Sequence, residues 1–179
     1  KTAPRPKTRQ AIPADRVRGL LLELTYRLHA TRPVTQLAAK GRWIDGALQS
    51  MVVSNRLGAQ CLSEFGATAC TDLTGFGLLG HLVEMTRPSG VDAEIHMSKL
   101  PMLDGAEECV AQGIVSSLQG SNVRLRRALR NQEEFVKHPR YPLIFDPQTA
   151  GGLLASVPAD KAEACIAALR KLGYVHTVA

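Results

Sequence analysis

Aromatic residues make up only 4% of this 179-residue sequence, and they are not interleaved with its arginines. Stacking on nucleobases therefore has little support, and nucleic acid is not an expected partner. No apolar stretch approaches the ~20 residues that a membrane-spanning helix needs, and no signal-peptide pattern stands at the start, where the first residue is Lys1. The cysteines, Cys61, Cys70, Cys109 and Cys165, are widely spaced without a C-x-x-C pair, which suits neither a zinc ribbon nor a disulfide framework. That usage fits a reducing compartment, so a cytoplasmic location is expected. Three of them sit in apolar periodic surroundings, as buried structural thiols do, whereas Cys70 adjoins the main motif. His29, His96, His138 and His176 show no metal-ligand spacing, and no Walker loop, G-x-G-x-x-G fingerprint or G-x-S-x-G elbow occurs.

What is present suffices for one domain: 45% of the residues are hydrophobic, enough to fold without a disulfide or metal staple. A formal net charge of +6 suggests affinity for anions such as phosphates or nucleotides. The excess concentrates in the first 18 residues and in the run Arg124, Arg126, Arg127 and Arg130, which is either a solvated helix face or a contact to nucleotide or partner. Pro4, Pro6 and Pro13 among Lys1, Arg5, Lys7 and Arg9 mark an arm or linker. The expected division is a basic arm, or remnant of a preceding segment, over 1–33 and one domain over 34–179.

Leu20, Leu21, Leu24 and Leu28 have helical spacing within 17–28. The pattern from Asp45 predicts a helix capped by that residue, with Leu48, Met51, Val52, Asn55, Ala59 and Leu62 on one face and an end near Gly66. Asn55 on that face is either a satisfied core residue or one aimed at a ligand. Further helices are predicted over 75–85, 104–112, 122–134 and 159–172, the last capped by Gly173. Strands are predicted over 67–71, 91–97, 143–145, 153–157 and 174–178. Helices and strands joined by short loops imply a mixed β-sheet covered by helices, an α+β domain.

The segment Thr71-Asp72-Leu73-Thr74-Gly75-Phe76-Gly77-Leu78-Leu79-Gly80-His81 reads as a strand ending at Asp72, a Gly-containing turn and a helix starting near Gly75. A helix N-terminus exposes backbone N–H groups to anions, and an adjoining carboxylate suits magnesium, whose shell is completed by phosphate oxygens and water. Alternatively, Asp72 only caps the helix and the glycines only allow tight packing. His81 reads as a packed rather than a catalytic histidine. In the second segment, Asp146-Pro147-Gln148-Thr149-Ala150-Gly151-Gly152-Leu153-Leu154, the paired glycines permit unusual backbone angles. It is either a loop that approaches a ligand or domain closely, or a turn between strands with Asp146 bonded to nearby amides.

Together these segments resemble the T-D-[VIL]-T-G-F-G-L-x-G-H and D-P-[QE]-T-[SA]-G-G-L-L signatures of selenophosphate synthetases, within the aminoimidazole ribonucleotide synthetase superfamily. Arg42-Trp43-Ile44-Asp45 and Asn122-Val123-Arg124 are also similar, so the likeness runs over about residues 40–178. It implies the carboxy-terminal α+β domain of an enzyme that phosphorylates selenide with ATP and Mg²⁺, releasing selenophosphate, AMP and phosphate. It further implies an amino-terminal domain as partner, a homodimer when full length, Asp72 as a metal ligand, and Thr71, Thr74, Gly75 and Gly77 as a phosphate-side loop. The family's Cys or selenocysteine nucleophile segment and its amino-terminal metal aspartates do not occur here, and Thr31-Arg32-Pro33 lacks the G-T-G turn that follows in the family. No catalytic residue is therefore expected in this segment, which alone should be inactive. Two alternatives stay open: another ATP-dependent synthetase of the superfamily, or a non-catalytic paralogue acting as partner or regulator.

Overall fold

The computed structural model describes the backbone of residues 20–22 and the whole of residues 39–179. Its centre is β3 (Leu153–Ser156), flanked by β1 (Leu20–Leu22) on one side and β2 (Ala69–Asp72) on the other. Both pairings are antiparallel, with Leu20 opposite Ser156, and Ala69 to Asp72 running opposite Ser156 back to Leu153. The class is α+β as expected, although the described sheet is antiparallel rather than mixed.

Every residue of β3 is buried, because side chains alternate between two cores. Leu154 faces the larger one, with Leu73, Leu78, Leu79, Leu82, Leu143, Ile144 and Phe145. Leu153 and Ala155 face the smaller one, with Cys61, Leu62, Val157, Cys165, Leu169 and Tyr174. Each fully buried leucine contributes about 1.5–3 kcal/mol, so this strand is held from both faces. The larger core is covered by α3 (Gly77–Ser89) and α4 (Ala106–Ala111), the smaller by α2 (Arg56–Glu64) and α7 (Ala162–Lys171). Gly66, Gly90 and Gly173 follow α2, α3 and α7 with positive φ, as helix-ending glycines do.

Several expected elements take another form. The helix predicted from Asp45 to Leu62 is two: α1 (Gly41–Met51), which starts before Asp45 and so is not capped by it, and α2. The break has a visible cause. Tyr174 inserts its phenol, donating to Ser54 O at 2.7 Å and accepting from the Gly58 N–H at 2.7 Å, which occupies groups a continuous helix would pair internally. As a result α1 buries Trp43 and Ala47, while Leu48 and Val52 from the predicted face are exposed.

The alternating stretch 91–97 is not a strand: it runs without ladder partners into a 3₁₀ turn, Met97–Lys99. The apolar run 143–145 is also 3₁₀, started by Pro142, whose fixed φ suits a first helical position. The arginine-rich helix predicted over 122–134 divides into α5 (Gln119–Asn122), a 3₁₀ segment Val123–Ala128 and α6 (Gln132–Phe135). Extended backbone at Leu129 separates the last two. Residues 174–177 turn rather than extend, with Thr177 Oγ1 donating to Tyr174 O at 2.8 Å, and of the predicted strand only Val178 forms an isolated β-bridge. In 17–28, Leu20–Leu22 form β1 instead of a helical turn, and Leu24 and Leu28 lie outside the described residues. The same holds for most of the expected arm, including Thr31, Arg32 and Pro33.

Candidate functional site

The two motif segments, which begin at Thr71 and Asp146, close on each other where β2 ends. Asp72 pairs with Leu153 as the last rung of the sheet, after which the Leu73 N–H donates to Gly152 O at 2.9 Å. The Gln148 N–H then donates to Thr74 O at 2.8 Å, so the turn Leu73–Phe76 is sewn to the 146–152 loop by main-chain bonds. The glycines make this approach possible. Gly77 has φ +68°, and a Cβ there would lie 2.8 Å from Asp146 O; a Cβ on Gly151 would collide with Leu73 O.

Two asparagines clamp the junction. Asn122 Nδ2 donates to Gly75 O at 2.8 Å and to Phe145 O at 3.0 Å, while Asn55 Nδ2 donates to Gly151 O at 2.9 Å. Asn55 is thus satisfied at its Nδ2 only, since its Oδ1 is buried without a hydrogen-bond partner among the described residues. Neither clamp is visible in local pattern, except that each is an amide side chain inside an otherwise helical stretch.

Asp72 is exposed, and its carboxylate makes no ion pair or hydrogen bond among the described residues. The predicted phosphate-side loop divides on inspection of its amides. Those of Thr74 and Gly77 are taken, by His81 Nε2 at 3.0 Å and by Thr74 O at 3.1 Å, while those of Gly75 and Phe76 make no hydrogen bond among the described residues. Thr71 Oγ1 turns to Asp72 O at 3.3 Å. Phe76 lies outward, 55% exposed, over Gly80, where a Cβ would lie 2.5 Å from its own.

Asp146 is the opposite case, at 3% exposure. Burial pushes its carboxyl up to about 7, against the pull of one backbone bond from Ser116. Gln148 Nε2 approaches Asp146 Oδ2 at 3.5 Å and donates to Asp146 O at 3.0 Å. The second motif is a turn between the 3₁₀ segment Pro142–Phe145 and β3 rather than between two strands, with Asp146 bonded to a nearby amide and its tip at Thr149 and Ala150 exposed.

Partial burial, with the Asp72 charge beside it, holds the exposed Cys70 thiol above its usual range. Cys165 is pushed up to about 11 by burial. Arg124, Arg126 and Arg127 are exposed, and Arg130 pairs with Asp92 at 2.7 Å across the surface. A cavity of about 570 Å³ bounded by Leu82, Ile95, Phe135 and Tyr141 includes none of the predicted site residues. No group of three or more His, Cys, Asp or Glu that could hold a metal occurs among the described residues, and none of their helices is long and apolar enough to cross a membrane. One carboxylate and two open amides fit a share of a magnesium–polyphosphate site rather than a whole one, since magnesium uses one or two carboxylates beside phosphate oxygens.

Comparison with known proteins gives the family. Residues 46–179 match the family described as AIR synthase related protein, C-terminal domain. The selenide, water dikinase of Caldanaerobacter subterraneus subsp. tengcongensis is 38% identical over 127 residues, covering 70% of this chain and 36% of that protein. The selenide, water dikinase of Bordetella bronchiseptica is 40% identical over 157 residues, 82% of this chain and 44% of the relative. That of Yersinia pestis is 41% identical over 124 residues, 69% of this chain and 34% of the relative. The chain thus spans between a third and a half of the length of these curated relatives. It belongs to the AIR synthase related proteins and carries their C-terminal domain, in the form found in selenide, water dikinases.

Proposed function

We propose that this chain supplies the C-terminal share of a selenide, water dikinase site, in which selenide is phosphorylated at the expense of ATP to give selenophosphate, AMP and phosphate. Asp72 is the magnesium ligand of this share. The observation that carries the reading is the Asp72 carboxylate itself, outward and unpaired at the tip of β2 beside the open amides of Gly75 and Phe76. A charged group left unpaired there adds nothing to the fold, but it suits a cation shared with ATP phosphates.

Bound magnesium would neutralise polyphosphate charge, the main requirement of phosphoryl transfer. The chain's own residues do the rest. Asp72 offers an oxygen ligand, Gly75 and Phe76 direct N–H groups toward phosphate oxygens, and Thr71, Thr74 and Gly77 shape the turn that aims them. The remaining ligands and the nucleophile come from an amino-terminal domain of the same enzyme, a cytoplasmic homodimer in this reading, so this segment alone is inactive. The boundary near residue 33 separates a basic arm from the domain, with Leu20–Leu22 tying the arm to β3. The test is Asp72→Ala in the full-length enzyme: selenide-dependent ATP consumption should be lost while thermal unfolding stays at the wild-type temperature. A mutant that turns over at the wild-type rate would remove Asp72 from the site.

A further inference from the structure

The turn that carries Asp72 has one side-chain support from α3, and its geometry is specific. His81 is buried at 4% exposure, seven residues after Thr74 and one helical turn before Glu84. Thr74 donates its backbone N–H to His81 Nε2 at 3.0 Å, and its Oγ1 lies 3.2 Å from the same nitrogen. A nitrogen that accepts an amide proton cannot carry one, so Nε2 holds the lone pair and the proton of the neutral ring is on Nδ1. That Nδ1 faces Glu84 Oε2 at 3.2 Å, off the line of an ideal hydrogen bond but within ion-pair range. Phe76 covers the ring at 5.6 Å between centroids.

This arrangement fixes the turn from its middle. The Thr74 amide would otherwise stand free at the helix N-terminus with those of Gly75 and Phe76. Held by His81, it orients the Thr74 carbonyl toward the N–H groups of Gly77 and Gln148 and leaves only the next two amides open. A doubly protonated ring would set two N–H donors against each other and release the turn. Neither Lys nor Arg could replace the ring, because neither offers an acceptor.

We propose that His81, as the Nδ1–H tautomer that the Thr74 amide requires and with Glu84 facing its Nδ1, is the positioning residue that presents the Asp72 carboxylate together with the open Gly75 and Phe76 amides. The proposal deepens, and rests on, the reading of Asp72 as a cation ligand. It is tested on the ¹⁵N-labelled 179-residue chain by three measurements: the ring nitrogen shifts of His81, hydrogen exchange at the Thr74 amide, and broadening of the Asp72–Phe76 amides by Mn²⁺.

The wild type should show an unprotonated Nε2 and a protected Thr74 amide. His81→Ala should speed Thr74 exchange about tenfold, the worth of one hydrogen bond, and raise the Mn²⁺ needed for half-broadening several-fold. His81→Gln, whose carboxamide oxygen can reach the Nε2 position, should restore much of both. Glu84→Ala, a change at an exposed side chain that leaves the fold intact, should shift the tautomer without removing the ring. An Nε2–H ring in the wild type, Thr74 exchange unchanged in His81→Ala, or a His81→Gln no better than His81→Ala would each overturn the assignment. Mn²⁺ broadening unchanged in Asp72→Asn would instead defeat the cation reading, leaving the tautomer and exchange results to judge the hold of His81 on the turn.

Discussion

Two aspartates stand at the two ends of one junction and have opposite fates. Asp72 ends β2 in the open, its carboxylate unpaired among the described residues; Asp146 opens the facing loop at 3% exposure, with its carboxyl pushed up to about 7 by burial. Both belong to segments that carry the family resemblance, the first being the more specific in sequence. The difference is solvent access. A buried carboxyl bonded to the Ser116 backbone is harder to ionise and serves the turn, whereas one exposed at a strand tip is open to a partner. Environment, not residue type or motif membership, separates the proposed ligand from the buried turn residue.

The largest effect on stability should come from Asp146. Its folded value, about 7, lies above the ordinary value of 3.8, so the folded state holds a proton that the unfolded state has released between these limits. Stability is then highest near pH 4 and falls as pH rises through 7, by roughly 3–4 kcal/mol at ~1.4 kcal/mol per unit. Denaturant titrations at pH 4.5 and pH 8 should show that loss, and Asp146→Asn should flatten it. A wild type equally stable at both would place the carboxyl in water.

Next comes the close approach between the loops. Gly77→Ala puts a Cβ against Asp146 O at a position with φ +68°, and should cost about 2–4 kcal/mol in urea unfolding. A Gly77→Ala variant as stable as wild type would mean that the two motif loops do not touch. A smaller loss, about 1–3 kcal/mol, is expected for Tyr174→Phe, which leaves Ser54 O and the Gly58 N–H without their shared hydroxyl. Retained stability there would show that water or a continuous helix replaces the bridge.

The parts of the fold that could be read in advance are those whose pattern is decided locally. The helix after Gly75, the short helix before Gln112, the last helix and the two strands around the motifs all keep their periodicity in the structure. The α1–α2 break could not be read, because Tyr174, which causes it, lies 116 residues beyond Gly58. Alternation in 91–97 reports which side chains turn inward, Met97 being buried, but not whether a neighbouring strand exists to complete a ladder. Three apolar residues at 143–145 fit a strand or a tight helical turn equally well, and Pro142 decided for the turn. The arginine run keeps helical turns up to Ala128, and its expected single helix is broken where Leu129 becomes extended.

In the site, the Asp72 turn was legible from its glycines and its carboxylate. The division of its amides was not, because it depends on which one His81 reaches from the next turn of helix. The raised pKa of Asp146 was equally hidden, since it follows from the burial that tertiary packing creates.

The contrast between the two aspartates is tested most directly by comparing Asp72→Asn and Asp146→Asn side by side in the full-length enzyme at saturating Mg²⁺, measuring selenide-dependent ATP turnover. Losing a metal ligand should lower the rate of Asp72→Asn about a thousandfold or more with unfolding unchanged, while Asp146→Asn should stay within about threefold of wild type. Equal activities in the two variants, or loss only in Asp146→Asn, would contradict the account.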